Sequence, residues 1–222
     1  MTTIVVFLIF LALHYVYDTQ FFRSDSGAYW RLSDPFETTL RNNTIRGYAF
    51  PWLLMPIHWL SNSLDSLAPW RVASSAVYSY LLTAILPNTF GRFFGFRLSA
   101  PRRLIFALLI IAIYPGLLML PLTDFPAACL LVASAGATRS VSKPILAAAL
   151  AGGFWYLAYN IRTIYLFSPS LVLILGIMQG TVRQRICFCL AMPVGIAVTA
   201  LPQIVINAMN GRGRTSTSAV VA

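Results

Sequence analysis

Three residues stand out for the chemistry that their type and setting allow. Asp25 lies in Ser24-Asp25-Ser26-Gly27-Ala28-Tyr29-Trp30, a carboxylate just ahead of two aromatic residues suited to a membrane surface. Presented at a water–lipid boundary, it can take the proton of an acceptor hydroxyl arriving from the aqueous side. The plainer reading is that Ser24, Asp25 or Ser26 caps a short helix. Asp124 sits in Pro121-Leu122-Thr123-Asp124-Phe125-Pro126. Thr123 or Asp124 reads as the N-cap of the next helix, with Pro126 near its start. An acid at the mouth of a bundle can also place an acceptor or bind a metal, and one residue can do both. Arg162 interrupts an apolar stretch after Trp155, Tyr156, Tyr159 and Asn160. An arginine at the end of a span commonly snorkels to the interface. The same guanidinium can also grip a lipid-linked phosphate with two parallel hydrogen bonds.

The other polar candidates carry less. His14 and His58 have no ligand-like spacing and read as interfacial polar residues. Cys129, Cys187 and Cys189 lie inside apolar stretches and read as buried, inert thiols. A phosphate-binding glycine loop, a Ser-His-Asp signature and a His-Glu-x-x-His zinc motif are all missing from the sequence. A nucleotide-dependent cytosolic enzyme is therefore not expected, and no cofactor is demanded; a divalent metal near Asp124 stays open.

These residues must be positioned by elements that water alone does not favour. Hydrophobic residues make up 58% of the 222-residue chain and charged ones only 10%, against roughly 25% charged in soluble domains. One core cannot hide that much apolar surface, so lipid is the expected solvent. The net charge of +10 comes from fifteen arginines and one lysine scattered between apolar runs. No basic cluster interleaves with aromatics to follow a phosphate backbone, so nucleic acid is not an expected partner. Membrane lipids are. The first apolar segment lacks a basic leader and a small-residue cleavage site, and reads as an uncleaved span.

A span needs about 20 mostly apolar residues. The candidates are 3–19, 72–90, 104–120, 125–138, 144–159, 163–179 and 186–206, with a break at Asn160-Ile161-Arg162. The expected fold is an all-α, polytopic transmembrane bundle of about seven spans. The segments Arg92–Arg103, Arg139–Lys143 and Arg183–Arg185 hold eight basic residues and no acid. The positive-inside rule assigns all three to the cytoplasm. The apolar run at 51–62 carries two prolines and interfacial tryptophans, and is read as an amphipathic helix lying along the membrane. That reading keeps the N-terminus cytoplasmic and makes 20–70 the first extracytoplasmic loop. All six acids, Asp18, Asp25, Asp34, Glu37, Asp65 and Asp124, then face outward. Residues 1–206 form the membrane module, and 207–222 a polar tail expected to be disordered.

The order of motifs resembles the GT-C superfamily of membrane glycosyltransferases, which includes protein mannosyltransferases and aminoarabinose transferases. The resemblance rests on Ser24-Asp25-Ser26 with Tyr29, Arg46-Gly47-Tyr48 with Pro51, Thr123-Asp124 with Pro126, and Arg162-Thr163, over roughly residues 1–210. It implies a seven-span module with juxtamembrane helices in the first outer loop. It also implies transfer of a sugar from a polyprenyl-phosphate carrier to an extracytoplasmic acceptor, with inversion at the sugar carbon. On that analogy Asp25 is the general base, Asp124 places acceptor or metal, and Arg162 contacts the donor phosphate. Tyr29, Arg46 and Asn160 support them. A bacterial inner membrane is the implied location. Superfamily members continue with further spans, so the chain is expected to be a truncated N-terminal module, a minimal member, or a half that a protein partner completes. The alternatives are a non-catalytic membrane subunit, a transporter or flippase component, and an inactive remnant.

Overall fold

The computed structural model describes residues 1–16, 24–34, 47–114, 119–140, 143–178 and 181–209. Among these residues the protein is all-α, with no strand. The helices are α1 (Thr2–Val16), α2 (Ser24–Leu32), α3 (Ala49–Ser63), α4 (Ala68–Tyr80), α5 (Leu86–Phe94), α6 (Ala100–Ile113), α7 (Asp124–Ser140), α8 (Pro144–Ile161), α9 (Pro169–Ile177) and α10 (Val182–Met209). The chain divides into two units: residues 1–36 with 51–125, and 37–50 with 126–222.

In the first unit, α1 buries Val6, Phe10 and His14, a stripe at every fourth residue. It packs on α4 and α6. Thr3 pairs with Thr83 at 2.8 Å and His14 with Ser74 at 2.9 Å, so α1 runs antiparallel to the segment 74–83. Between α4 and α5 the residues Leu81–Ile85 widen into a π turn. The cause is Pro87, which has no N–H for the Thr83 carbonyl and would crowd it in a regular helix. Helix α3 is 15 residues long, about 22 Å at 1.5 Å per residue, short of a bilayer core of about 30 Å. Its buried face is Pro51, Leu54, His58 and Ser61, and its exposed face carries Trp52, Leu53, Trp59 and Leu60.

The second unit is built on small residues. Gly152 of α8 lies against the Met192 carbonyl of α10, and Gly195 of α10 against the Ala149 carbonyl of α8; a Cβ at either position would overlap that backbone oxygen. Ala148, Ala151 and Ala191 are buried beside them with Phe188, Met192 and Val172. Two helices approach so closely only where side chains are absent, and the parallel pair α8–α10, joined through the returning α9, is held by backbone-to-backbone packing. The Phe188 ring fills the space where a Cβ on Gly176 of α9 would point. Ser134 of α7 donates to the Ala151 carbonyl at 2.7 Å.

Among the described residues, two helices, Pro144–Ile161 and Val182–Ala208, are long and apolar enough to cross a membrane. On α10 the exposed residues include Ile186, Leu190, Val194, Val198, Leu201 and Val205, one face spaced by threes and fours. Only 22% of its most apolar window is buried, so this stripe is outward-facing surface and not core.

The expected break after α8 occurs where the polar triplet stands: the helix ends at Ile161, and Arg162 is extended at φ −141° and ψ 108°. The span expected at 163–179 is instead a 3-10 turn, Thr163–Phe167, and the nine-residue α9. Ser168 and Pro169 interrupt it, because proline starts a new helix more readily than it continues one. Helix α6 ends at Ile113, short of the expected 120. Helix α10 continues to Met209, past the boundary expected at 206. The thiols differ from expectation: Cys129 is buried, but Cys187 is half-buried and Cys189 exposed, since the two lie on different faces of an outward-facing helix.

Candidate functional site

In the first unit, Asp25 stands in the first turn of α2 and is exposed. A carboxylate there is favoured by the helix dipole. What fixes it is the rest of α2 with the turn residue after it: Ser26, Tyr29, Trp30, Leu32 and Ser33 are all buried. The Trp30 indole stacks on the His58 imidazole at 4.4 Å between centroids and meets the Trp70 ring edge-on at 6.2 Å. Ser33 Oγ donates to the Trp30 carbonyl at 2.6 Å and lies 2.9 Å from His58 Nδ1. Trp70 Nε1 donates to the Met119 carbonyl at 3.1 Å. Tyr29 and Trp30 are therefore anchors in the unit, not the membrane-surface aromatics their sequence position implied. The tight packing of indole, imidazole and hydroxyl around one another is what took them inward.

The histidines are likewise internal. Each faces a serine whose own proton is already committed to a backbone carbonyl: Ser33 to Trp30, and Ser74 to Trp70 at 2.7 Å. The imidazole is then the donor to the serine oxygen, which makes these pairs structural contacts and not nucleophile–base pairs. Arg71 lies over the Tyr15 ring at 4.8 Å, within cation–π range.

Asp124 is the first residue of α7, half-buried, directly after the buried Thr123 and Pro121. Its position is set by the next residue, because the Phe125 ring meets Tyr78 edge-on at 5.1 Å, and Tyr78 in turn lies 6.3 Å from Phe10. Asp25, Tyr29 and Asp124 thus belong to the same unit. Among the described residues no three of His, Cys, Asp and Glu gather closely enough to hold a metal ion.

In the second unit, Arg162 is exposed at the C-terminal end of α8, its N–H donating to the Ala158 carbonyl at 2.9 Å. The preceding turns carry an aromatic cluster. Trp155 stacks on Tyr159 at 5.8 Å, Tyr156 lies 6.0 Å from Tyr159, and Trp155 Nε1 donates to the Tyr165 carbonyl and Ser168 Oγ at 3.1 and 2.9 Å. These bonds tie the 3-10 turn that follows Arg162 back onto α8.

Asn160 has a different task from the supporting site role expected of it. It is buried, its Oδ1 accepts the Ala49 N–H at 2.9 Å, and its Nδ2 donates to Gln203 Oε1 at 3.0 Å. Gln203 Oε1 also accepts the Tyr48 N–H at 3.2 Å, and Gln203 Nε2 donates to Asn207 Oδ1 at 3.0 Å. The Tyr48 hydroxyl donates to the Thr199 carbonyl. Gly47 packs on the Asn160 carbonyl so closely that a Cβ would overlap it. Asn160 therefore satisfies the start of α3, whose first N–H groups have no intrahelical acceptor. Burial, with Tyr156 beside it, pushes the Tyr48 hydroxyl up to about 12, which keeps it a neutral donor. Arg46 lies outside the described residues. Gln203 and Asn207 were passed over in the sequence, although two amides four residues apart within an apolar helix were the available signal.

Comparison of the chain with protein-family models, with curated proteins and with solved structures finds no match in any of the three.

Proposed function

We propose that the protein is an integral membrane glycosyltransferase that moves a sugar from a polyprenyl-phosphate carrier to an extracytoplasmic acceptor. The observation that carries this reading is the setting of Asp25: an exposed carboxylate in the first turn of a helix whose other side is locked by buried aromatic residues. Such a base is fixed in position yet open to an incoming hydroxyl. The surface also favours a lipid setting. Serines, histidines and amides are buried, while Leu, Ile and Val cover α10 on the outside, an arrangement unfavourable in water. The 15-residue α3, too short to cross and bearing exposed tryptophans, fits a helix lying at the headgroups. A bundle of about seven spans in a bacterial inner membrane belongs to the same proposal.

In the reaction, Asp25 takes the proton of the acceptor hydroxyl as its oxygen attacks the anomeric carbon. The bond from that carbon to the phosphate oxygen breaks on the opposite face, and polyprenyl phosphate leaves with the electron pair. Asp124, of the same unit as Asp25, helps to place the acceptor.

The test is Asp25→Asn in the full chain reconstituted into vesicles with a polyprenyl-phosphate sugar and an acceptor. Release of polyprenyl phosphate should fall by about 10² to 10⁴, with insertion and yield unchanged. Full activity in this variant would remove Asp25 as the base.

A further inference from the structure

A second polar feature of the first unit lies away from Asp25 and Asp124 in sequence and has no part in the proposed transfer. It is a cavity of about 560 Å³ lined by Pro87, Asn88, Gly91, Arg92, Gly95, Phe96, Arg97, Leu98 and Arg103. Among the described residues, three arginines and no acid line it. Its volume lies within the range of ligand sites, about 300–1,000 Å³.

The cavity is built by identifiable backbone devices. Helix α5 ends on Gly95 in the left-handed region at φ 72°, and the Phe96 N–H bonds back to the Gly91 carbonyl at 3.1 Å. Gly91 must lack a side chain, because a Cβ would strike the Phe96 carbonyl. The reversed chain then brings Arg103 of α6 back against α5. Arg103 Nε donates to the Leu98 carbonyl at 2.9 Å, Nη2 to Asn88 Oδ1 at 2.9 Å, and Nη1 to the Thr83 carbonyl at 3.3 Å. That last acceptor is the one Pro87 leaves without its helical N–H. Three of the five N–H donors of Arg103 are thus spent on fixing the guanidinium, so a cation is held in the wall with little left to order on binding. Arg92 and Arg97 are exposed beside it.

The flank of the cavity is apolar. Phe90, Phe94 and Phe96 form a stacked row, at 6.3 and 6.1 Å between centroids, and all three are exposed. A free phosphate would use the arginines and leave this row in water, whereas a lipid uses both: its phosphate at the guanidiniums and its acyl region along the rings. The geometry points to a binding site for the phosphate of an anionic lipid headgroup, in the loop between α5 and α6 that the charge distribution assigns to the cytoplasmic side. The general attraction of basic loops to anionic lipid needs no cavity; this site differs in that particular arginines carry it.

The experiment follows thermal unfolding of the full chain in an uncharged detergent. The probes are short-chain phosphatidylglycerol, short-chain phosphatidylcholine and inorganic phosphate at equal concentrations. Phosphatidylglycerol should raise the midpoint by about 5 °C at saturation, and phosphatidylcholine should not. Arg97→Gln, and Arg92→Gln with Arg97→Gln together, should at least halve that rise. Arg102→Gln, exposed in the same segment but not lining the cavity, should keep it. An equal rise with phosphatidylcholine overturns the proposal, as does an equal loss in Arg102→Gln, which would mean diffuse charge. A rise with inorganic phosphate as large as with phosphatidylglycerol overturns the lipid assignment in favour of a soluble phosphate.

Discussion

The two units solve one problem, holding helices together when their outer faces are apolar, by opposite means. The first uses large rings and short polar links: Trp30 on His58, Trp70 on Trp30, Phe125 on Tyr78, His14 to Ser74 and Thr3 to Thr83. The second removes side chains, so that Gly152 and Gly195 let two backbones touch, and threads one amide chain, Asn160–Gln203–Asn207, along the interface. Ring packing tolerates adjustment because a side chain can turn. Backbone packing does not, because the atom that would be struck is a carbonyl held by its own helix. The contrast teaches that the second unit should be intolerant of added volume and the first of removed volume.

The largest expected effect breaks the second unit. Gly195→Ala puts a methyl onto the Ala149 carbonyl and should cost about 3 kcal/mol, at the upper end for overpacking; Gly195→Leu should leave no folded second unit. Gly153→Ala, whose Cβ would meet the Thr199 methyl at 3.2 Å and the Gly195 carbonyl at an ordinary 3.7 Å, should stay within about 1 kcal/mol. Titration from mild detergent into dodecyl sulfate reads both. Equal costs at 153 and 195 would sink the idea that backbone contact is what matters.

The next effect concerns the amide chain. Gln203→Leu takes the acceptor from Asn160 Nδ2 and the Tyr48 N–H, and should cost about 2 kcal/mol. The double variant Asn160→Leu/Gln203→Leu should cost less than the sum of the single changes, because both remove the same bond. Strict additivity in that cycle would show the bond to be worth nothing.

In the first unit the ring matters more than the hydrogen bond. His58→Phe keeps the stack on Trp30 and loses the bond to Ser33, for about 1 kcal/mol. His58→Ala opens a space beneath the indole and should cost about 3 kcal/mol. Tryptophan fluorescence follows both, and His58→Phe costing as much as His58→Ala would reverse the assignment of roles.

The smallest effect is confined to high pH. The Tyr48 hydroxyl titrates at about 12 in the folded chain and at 10 in the unfolded one. The folded state therefore retains a proton that the unfolded state has lost between those values. The stability this contributes is complete below pH 10 and is lost as pH rises toward 12. Denaturation at pH 9 and pH 11 should show a fall that is smaller in Tyr48→Phe than in the parent chain. An identical fall would place the titration elsewhere.

Much of this was legible in the chain. All-helical architecture follows from long apolar runs without alternation, and the break at Asn160-Ile161-Arg162 falls where three residues interrupt such a run. The length of α3 was close to its reading, 51–62 against Ala49–Ser63. The interruption within 163–179 was not legible because hydropathy averages over Ser168 and Pro169, while a helix must satisfy each backbone group in turn. The residues around Asp25 were legible as types, but not the inward turn of Tyr29 and Trp30.

By itself the sequence determined what depends on neighbours in the chain: that the elements are helices, which stretches are apolar, and where the arginines and acids fall. The tertiary structure alone decided which polar groups face inward and are spent. Asn160 and Asp25 both looked like working residues; packing buried the first against the backbone N–H at position 49 and the amide at 203, and kept the second at the surface. Propensity and hydropathy are sums over adjacent residues, but the partner of a buried polar group is chosen by packing between distant segments, 111 residues apart for Ala49 and Asn160 and 43 for Asn160 and Gln203. The same holds for the arginine-lined cavity, where Pro87 frees a carbonyl and only the fold brings Arg103 back to take it.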